Sequence, residues 1–282
     1  MSAVRAAGSV GDALGAACDA LGAAGVDSPR LDAELLLAAA TGIDRARLIA
    51  EPESGVDPAS GRRFGEMVRR RLRREPVAYI LGRKWFRHLE LQVDGRVLVP
   101  RPETELLVEV ALELAPRRAL DVGTGSGAVA LALAAELPGA QVTATDSSPG
   151  ALEVARANAE WTGLADRVGF VEAAVPPDGR FDLWLANLPY VAEAEWDGLA
   201  PEIRDFEPRD ALIAGPDGLA AIRSLLCALS ERDVEELPSA VALEVGAAQA
   251  AEVAEMLGGA GYPCAEARRD LAGIERVVLG IR

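Results

Sequence analysis

The sequence is poor in the residues that metal sites and proton-transfer sites most often use. It contains one histidine, His88, one lysine, Lys84, and three widely separated cysteines, Cys18, Cys227 and Cys264. Zinc and similar ions need clusters of cysteine and histidine ligands, and a disulfide framework needs paired cysteines. The sequence therefore predicts neither a metal site nor disulfide bonds, and we expect the cysteines to be buried apolar side chains.

Long apolar runs are also missing. A helix that spans a bilayer needs roughly 18 or more consecutive apolar residues, and no segment of this chain approaches that length. The first 20 residues lack the basic start and uninterrupted apolar stretch of a signal peptide. From these absences we expect a soluble, cytoplasmic protein without a membrane segment.

Basic residues are too few to balance the acidic ones, and the net charge is −15. Residues 1–100 hold 15 basic and 13 acidic side chains, whereas residues 101–282 hold 14 and 31. This balance argues against a general nucleic-acid binder. Residues 62–87 are the exception, with ten basic side chains and two acidic ones. We interpret them mainly as the solvated face of an amphipathic helix, with a face that docks a protein partner as the alternative.

The first 75 residues predict a small all-helical domain. From about residue 4 onward the apolar spacing is helical, no strand pattern occurs, and a glycine or proline follows each apolar group. Because a bundle of this size is marginally stable alone, we expect it to pack on its neighbour or on a partner. The helix-start signals are, in order, Ser28-Pro29, Asp44 and Asp57-Pro58.

Residues 76–100 change to β-like runs, AYILG, LELQV and VLVP. Asp94-Gly95 is a dipeptide typical of tight hairpin turns. We therefore predict a β-hairpin linker over 76–100.

Residues 101–282 predict an α/β domain of the Rossmann-like kind, with a doubly wound sheet and a terminal antiparallel hairpin. Strand and helix patterns alternate through most of this region, but the last two strands are separated only by Asp270–Glu275. The predicted strands are 119–122, 142–146, 168–172, 181–186, 241–245, 264–269 and 276–281. The predicted helices are 103–114, 128–137, 149–161, 217–230 and 248–257.

A glycine-rich turn, Asp121-Val-Gly-Thr-Gly-Ser-Gly127, joins the first predicted strand of this domain to a helix. Such a turn leaves the helix N-terminus open to a nucleotide cofactor. Asp146 ends the next strand, where an acidic side chain can hold ribose hydroxyls. Both NAD(P) and S-adenosylmethionine carry a ribose, so these residues alone do not separate the two cofactors.

The stretch from Phe181 to Tyr190, FDLWLANLPY, is an apolar strand that runs into a polar turn. Asn187 offers a side-chain carbonyl, Leu188 a backbone carbonyl, and Tyr190 a flat ring, a set that suits a planar NH2 group. Hydride transfer usually needs a histidine, lysine or tyrosine acid–base group, and the single His88 and Lys84 lie in the predicted linker. Methyl transfer to an amide or amine nitrogen is therefore favoured.

With both motifs placed, the chain resembles the HemK/PrmC family, the protein-(glutamine-N5) methyltransferases that modify peptide chain release factors. The resemblance spans nearly the whole sequence. Its segments are EPVAYILGRKWF at 75–86, VLVPRPETELLVE at 97–109, DVGTGSGAVALALA at 121–134, NLPY at 187–190, DFEPRDALIAGPDGLAAIR at 205–223, LEVG at 243–246 and RRDLAGIERVVLG at 268–280.

The resemblance implies S-adenosyl-L-methionine as cofactor, S-adenosyl-L-homocysteine as its product, and the glutamine of a Gly-Gly-Gln loop as substrate. It implies release factors as protein partners, recognised with the help of the helical domain at residues 1–75. The acidic balance of residues 101–282 predicts no direct contact with nucleic acid. The implied catalytic residues are Asn187, Pro189 and Tyr190. The implied cofactor-binding residues are Gly123, Thr124, Gly125, Ser126, Gly127, Asp146, Val175 and Asn187. The implied substrate-binding residues are Asn187, Leu188, Pro189, Tyr190, Arg101, Glu103 and Thr104.

Two positions depart from the family pattern. Leu188 replaces the first proline of the usual Asn-Pro-Pro-Tyr, and Asn-Leu-Pro-Tyr also occurs in the ribosomal-RNA adenine dimethyltransferases. Ala174-Val175 replaces an acidic residue followed by a large one near the adenine, for which Glu172 is a candidate substitute. The alternatives are therefore an amino methyltransferase acting on RNA or DNA, an NAD(P) oxidoreductase, and a binding module that has lost activity.

Overall fold

The computed structural model describes residues 8–282, which fall into two compact units. One unit ends at Gly82 and also includes Ala200–Phe206, and the other comprises Arg83–Leu199 and Glu207–Arg282. The domain boundaries expected from the sequence, after residues 75 and 100, stay a prediction. The expected start of the helical region, near residue 4, lies outside the described residues.

The smaller unit is helical. Its helices are α1 (Val10–Ala23), α2 (Pro29–Thr41), α3 (Arg45–Ala50), α4 (Pro58–Leu72) and α5 (Val77–Leu81), and a further short helix, Pro201–Arg204, comes from the later segment. Asp44 and Asp57 cap α3 and α4 through backbone N–H groups, as predicted, whereas the Ser28 side chain makes no capping hydrogen bond to α2. Leucines of α1 and α2 and Phe64 of α4 form the core.

The arginines of α4 divide into two groups. Arg71 is buried and bonds to Asp32 at 2.7 Å and to Glu202 at 2.7 Å. Arg74, beyond the end of α4, also bonds to Glu202, at 2.8 Å. The interpretation as a solvated face is therefore wrong for these two side chains, because their partners lie on other parts of the chain. The exposed arginines that fit that interpretation are Arg62, Arg69 and Arg73.

The predicted β-like run at residues 78–82 is wrong, because these residues form most of α5 and its C-cap. Gly82 has φ of 71° and its N–H bonds to the Ala78 carbonyl, so this glycine ends a helix. The predicted hairpin exists, but it consists of β1 (Arg83–Phe86) and β2 (Leu89–Gln92). Asp94-Gly95 lies after this hairpin, in a turn where the Asp94 carboxylate accepts from the Arg96 N–H at 3.0 Å.

The larger unit contains a seven-stranded mixed sheet. Its strands are β3 (Arg118–Val122), β4 (Gln141–Asp146), β5 (Val168–Glu172), β6 (Leu183–Ala186), β7 (Ala240–Glu244), β8 (Cys264–Arg269) and β9 (Glu275–Ile281), in the order β5-β4-β3-β6-β7-β9-β8. The remaining helices are α6 (Glu105–Leu114), α7 (Ala128–Glu136), α8 (Pro149–Trp161), α9 (Pro201–Arg204, the short helix of the smaller unit), α10 (Ala220–Ser230) and α11 (Ala250–Gly259).

The order of the strands places a ligand site at the centre of the sheet. From β3 the chain continues to β4 and β5 on one side and returns to β6 and β7 on the other, and all five run parallel. In open α/β sheets a ligand binds at the carboxyl ends of the strands where the order reverses, here between β3 and β6. Strand β9 is antiparallel to β7 and β8, so the predicted Rossmann-like fold with a terminal antiparallel hairpin is confirmed.

Alternating residues of the strands cover both faces of the sheet. Ala119 and Leu185 belong to one apolar cluster, and Leu120 and Trp184 belong to the other. The prediction of buried cysteines is wrong for Cys227 and Cys264, which are exposed, and Cys18 is half-buried. Within residues 8–282, no helix is both long and apolar enough to cross a membrane.

Candidate active site

The glycine-rich turn connects β3 to α7 in a conformation that requires glycine. Gly123, Gly125 and Gly127 have φ of 73°, 56° and 83°. A Cβ atom on Gly127 would lie 3.1 Å from Leu131 Cδ1 and 3.3 Å from Ala155 Cβ, so this residue allows α7 and α8 to approach closely. No atom of the described residues lies within 4 Å of a Cβ position on Gly125, and this part of the turn is open.

A cavity of about 280 Å³ lies beside this turn, at the carboxyl ends of β3, β4 and β6. Residues of both motifs predicted from the sequence line it together. The predicted residues in its wall are Arg101, Thr104, Gly123, Thr124, Gly125, Ser126, Asp146, Asn187, Leu188 and Pro189. The predicted site residues outside its wall are Glu103, Gly127, Val175 and Tyr190.

Asp146 ends β4 with its carboxylate fixed by two backbone donors. The Gly125 N–H bonds to one oxygen at 2.9 Å, and the Ser148 N–H bonds to the other, also at 2.9 Å. A carboxylate oxygen has two lone pairs, so each keeps the capacity to accept a hydroxyl proton from a ligand. This position agrees with the predicted ribose contact, which stays a prediction.

Asp121 is a cavity residue that sequence reasoning missed. Its carboxylate is 2% exposed and accepts from the Thr124 hydroxyl at 2.6 Å and from the Ala130 N–H at 3.2 Å. Burial raises the pKa of Asp121 to about 6, and the nearby charge of Asp146 adds to the rise. Its position directly before the glycine turn was the available signal.

Asn187 lies just beyond the last residue of β6 that pairs with its neighbours, Ala186. Its Nδ2 donates to the hydroxyl of Thr104 at 3.0 Å. Because the amide nitrogen is engaged in this bond, the amide oxygen remains as an acceptor at the cavity wall. The carbonyl of Leu188, one residue further, also lies beyond the hydrogen-bonding ladder of the sheet. Both residues line the cavity, and their predicted role as the two acceptors stays a prediction.

Contacts from two other loops hold the Asn187–Tyr190 turn. Gln249 Nε2 donates to the Tyr190 carbonyl at 3.1 Å, and the Gly246 N–H donates to Gln249 Oε1 at 2.8 Å. A Cβ atom on Gly218, whose φ is 76°, would lie 2.3 Å from the Tyr190 carbonyl oxygen. Burial raises the pKa of Tyr190 to about 12, so its hydroxyl stays protonated at neutral pH.

Arg101 and Glu207 join two motif segments that are 106 residues apart. Arg101 Nη2 bonds to the nearly inaccessible Glu207 carboxylate, which also accepts from the Val99 N–H at 3.2 Å. Burial raises the pKa of Glu207, although Arg101 opposes the rise. The neighbouring Pro208 and Asp210 line the cavity, and sequence reasoning had not placed this segment there.

The wall beyond β5 is formed by small side chains. Ala173 and Ala174 line the cavity, whereas Val175 is 56% exposed and Glu172 is also exposed. The predicted roles of Val175 and Glu172 near an adenine stay predictions. Another part of the wall, Arg96 to Leu98, was not predicted from the sequence, although the motif VLVPRPETELLVE begins at Val97.

Two family descriptions match separate parts of the chain. Residues 12–82 match the PrmC N-terminal domain, and residues 119–206 match a methyltransferase domain. Among curated relatives, the chain is similar to the release factor glutamine methyltransferase of Moorella thermoacetica, with 41% identity over 278 residues, 96% of this chain and 97% of the relative. The chain belongs to the family of release factor glutamine methyltransferases.

Other members of the family are similarly close. The release factor glutamine methyltransferase of Nitratidesulfovibrio vulgaris is 39% identical over 271 residues, 93% of this chain and 91% of the relative. Among solved structures, the human METTL16 catalytic domain in complex with a MAT2A 3′UTR hairpin is similar, with a TM-score of 0.58, 17% identity, and coverage of 68% of this chain and 75% of that one. At this identity the likeness shows the methyltransferase fold alone.

Proposed function

We propose that the chain transfers a methyl group from S-adenosyl-L-methionine to the side-chain amide nitrogen (N5) of the glutamine in the Gly-Gly-Gln motif of peptide chain release factors. The proposal rests on the hydrogen bonding of the Asn187 side-chain amide. Its nitrogen is engaged with Thr104, and its oxygen is left to accept from a planar NH2 group. Membership of the family supports the same substrate. A cytoplasmic enzyme follows from such a substrate.

An amide nitrogen is a poor nucleophile because its lone pair is delocalised into the adjacent carbonyl. Hydrogen bonds from the substrate NH2 to Asn187 Oδ1 and to the Leu188 carbonyl would orient the nitrogen and favour its pyramidal form. Pro189 stiffens the turn, and the Tyr190 ring, which lies outside the wall of the cavity, would provide a surface on which the flat amide stacks. Leucine at position 188 keeps the backbone carbonyl that this role requires.

The cavity fits a cationic nucleoside cofactor. When bound, S-adenosylmethionine supplies an activated methyl group on a sulfonium, so the protein needs to bind and align it. Gly123 to Gly127 provide an open turn at a helix N-terminus, and Asp146 would accept from the ribose hydroxyls. Asp121 adds a carboxylate, of the sign that suits the sulfonium and the ammonium of the cofactor.

Release factors are the proposed partners, and we expect no direct nucleic-acid contact. The Asn-Leu-Pro-Tyr sequence is compatible with an RNA amino group as acceptor. An RNA enzyme, however, needs basic side chains for the phosphates, and residues 101–282 hold 31 acidic and 14 basic side chains.

Transfer of a radiolabelled methyl group tests the proposal. The acceptors are an unmethylated release factor, the same factor with its Gly-Gly-Gln glutamine replaced by glutamate, and ribosomal RNA. We expect label in the unaltered release factor only. Label in RNA, or equal label in the glutamate variant, would contradict the proposed substrate. An increase in melting temperature with NAD(P) but not with S-adenosylmethionine would contradict the proposed cofactor.

A further inference from the structure

Glu244 is a buried carboxyl group close to the site, and it has no role in the methyl transfer proposed for Asn187 and Leu188. It is the last residue of β7, it is 2% exposed, and its Oε2 has no hydrogen-bond partner within residues 8–282. The hydroxyls of Thr104 and Tyr190 face this carboxyl group. The charged groups that act on it are Glu103, before α6, and Arg276, on β9. A buried carboxylate without a bonded cation is costly, so its retention needs a reason.

The hydroxyl of Thr104 lies between Glu244 and Asn187. A hydroxyl can donate one hydrogen bond and can also accept, so Thr104 alone does not determine how the Asn187 amide is turned. If Thr104 donated its proton to Asn187, the amide would present its NH2 group to the cavity. That orientation would repel the NH2 group of a substrate glutamine, because two donors would face each other.

An ionised carboxylate removes this ambiguity. A carboxylate can only accept, so next to the Thr104 hydroxyl it would take that proton and leave the Thr104 oxygen as an acceptor. Asn187 must then donate through Nδ2, which is the observed bond of 3.0 Å. Its Oδ1 consequently faces the cavity.

We propose that Glu244 is a positioning residue that acts through Thr104 to keep the Asn187 amide oxygen directed at the substrate amide. This inference rests on the proposed function, because the orientation matters only if an NH2 group is the acceptor. Glu244 itself does not touch the substrate. Its carboxylate would accept the Thr104 proton and so fix the direction of the bond between Asn187 and Thr104.

Protonation of Glu244 should relax this control. Burial raises the pKa of Glu244 to about 7, and the charge of Glu103 adds to the rise. Hydrogen bonding from Thr104 and the charge of Arg276 oppose it. The carboxylate therefore predominates above pH 7, and the neutral acid, which can donate to Thr104, predominates below. Methyl transfer should accordingly slow as the pH falls through about 7.

Single-turnover methyl transfer from saturating S-adenosylmethionine to a release factor, measured from pH 5.5 to 9, tests the inference. Cofactor Kd is measured at each pH, so that titration of Asp121 is not mistaken for titration of Glu244. In Glu244→Gln we expect the rate at pH 8 to fall about tenfold, which is the scale of one orienting hydrogen bond. We also expect the acid limb of the profile, the decrease in rate as the pH falls through about 7, to disappear. Cofactor Kd should change less than about twofold.

Two variants of Thr104 make the test independent of whether Glu244→Gln folds. Thr104→Val, which removes the hydroxyl, should lose both the rate and the acid limb, and Thr104→Ser, which keeps it, should retain both. Glu34→Gln is the matched control, a buried glutamate in the helical unit that should leave the pH profile unchanged. An acid limb that persists in Glu244→Gln or Thr104→Val would overturn the inference. Absence of glutamine methylation by the unaltered protein would instead overturn the proposed function.

Discussion

The two units use buried carboxylates differently. In the helical unit, the buried Glu34 bonds to Arg30 and Arg45, and the half-buried Glu202 bonds to two arginines. Burial opposes ionisation of Glu34, but the hydrogen bonds from Arg45 and Arg30 outweigh it and lower its pKa. In the larger unit, Asp121 and Glu244 are buried and bond to no arginine of the described part of the chain, and burial raises the pKa of each.

This difference separates carboxylates that stabilise the fold from carboxylates that serve the site. A buried charge with a bonded cation has its desolvation offset within the protein. A buried charge without one reduces stability at neutral pH, and such groups are concentrated at functional sites. Glu207 is intermediate, because burial raises its pKa although it bonds to Arg101. Its two bonds to segment 99–101 fit a role in shaping the cavity.

The largest expected effect is in the helical unit. Arg71→Ala would leave Asp32 without its bonded arginine and Glu202 with Arg74 alone, and removing one partner of a buried ion pair typically costs about 3–5 kcal/mol. Arg69→Ala is the matched control on the same helix, and this exposed side chain should change the free energy of unfolding by less than about 0.5 kcal/mol. Urea denaturation measures both. Equal losses in the two variants would mean that the buried network contributes nothing beyond a surface arginine.

In the larger unit, Asn187→Ala should have the largest effect on catalysis. Removing one preorganised hydrogen-bonding group from an active site commonly reduces kcat about 10²- to 10³-fold. The cofactor Kd, measured by calorimetry, should change little, because the proposed partner of Asn187 is the substrate amide. A kcat close to that of the unaltered protein would remove the mechanism.

Asp121→Asn should increase the stability of the protein and reduce its affinity for the cofactor. The folded-state pKa of about 6 is above the usual 3.8, so the fold favours the protonated form and ionisation destabilises it. The variant should therefore gain stability over the unaltered protein as the pH rises from 4 to 7, by about 2–3 kcal/mol at most. Thermal unfolding and calorimetry with S-adenosylmethionine at both pH values test this. If Asp121→Asn instead lowered stability at pH 7, Asp121 would be a residue that stabilises the fold, as Glu34 and Glu202 are.

Asp146→Ala should weaken cofactor binding by about 1–3 kcal/mol through the loss of ribose hydrogen bonds. The Asp146 carboxylate also bonds to Gly125 and Ser148, so melting temperature must be measured beside the Kd. A reduced melting temperature with an unchanged Kd would show that Asp146 only holds the loop.

The smallest effect is expected from the exposed arginines. If Arg62, Arg69 and Arg73 dock an acidic partner surface, changing them to glutamate should raise KM for the release factor and reduce its salt sensitivity. Arg70 is left unchanged because it bonds to Glu75 within the same unit. An unchanged KM at low salt would identify these arginines as a solvated face.

The sequence predicted the elements whose signals are local. The bounds of α8, β5 and β8 agree with the prediction residue by residue, because each is a periodic segment between clear turn signals. The prediction for 78–82 failed because four apolar residues followed by a glycine fit a strand or a helix equally well. The apolar pattern of α4 also could not show that Arg71 is buried, because its partner Glu202 lies 131 residues away in the sequence.

In the candidate site, too, the sequence predicted continuous motifs but not the contacts between distant segments. The glycine turn and the Asn187 turn are continuous motifs, and both line the cavity. The bond from Asn187 to Thr104 connects residues 83 positions apart, and the carboxyl group of Glu244 lies in a third segment. Composition and spacing carry no information about such contacts, so the groups that orient Asn187 became visible only in the folded chain.

Tandem mass spectrometry of the Gly-Gly-Gln peptide, after reaction of an unmethylated release factor with trideuteromethyl-labelled S-adenosylmethionine, tests the central claim most directly. We predict one labelled methyl group on the side-chain amide nitrogen of the glutamine, and none after reaction with Asn187→Ala. A label on another residue of the release factor, or the same label with Asn187→Ala, would contradict it.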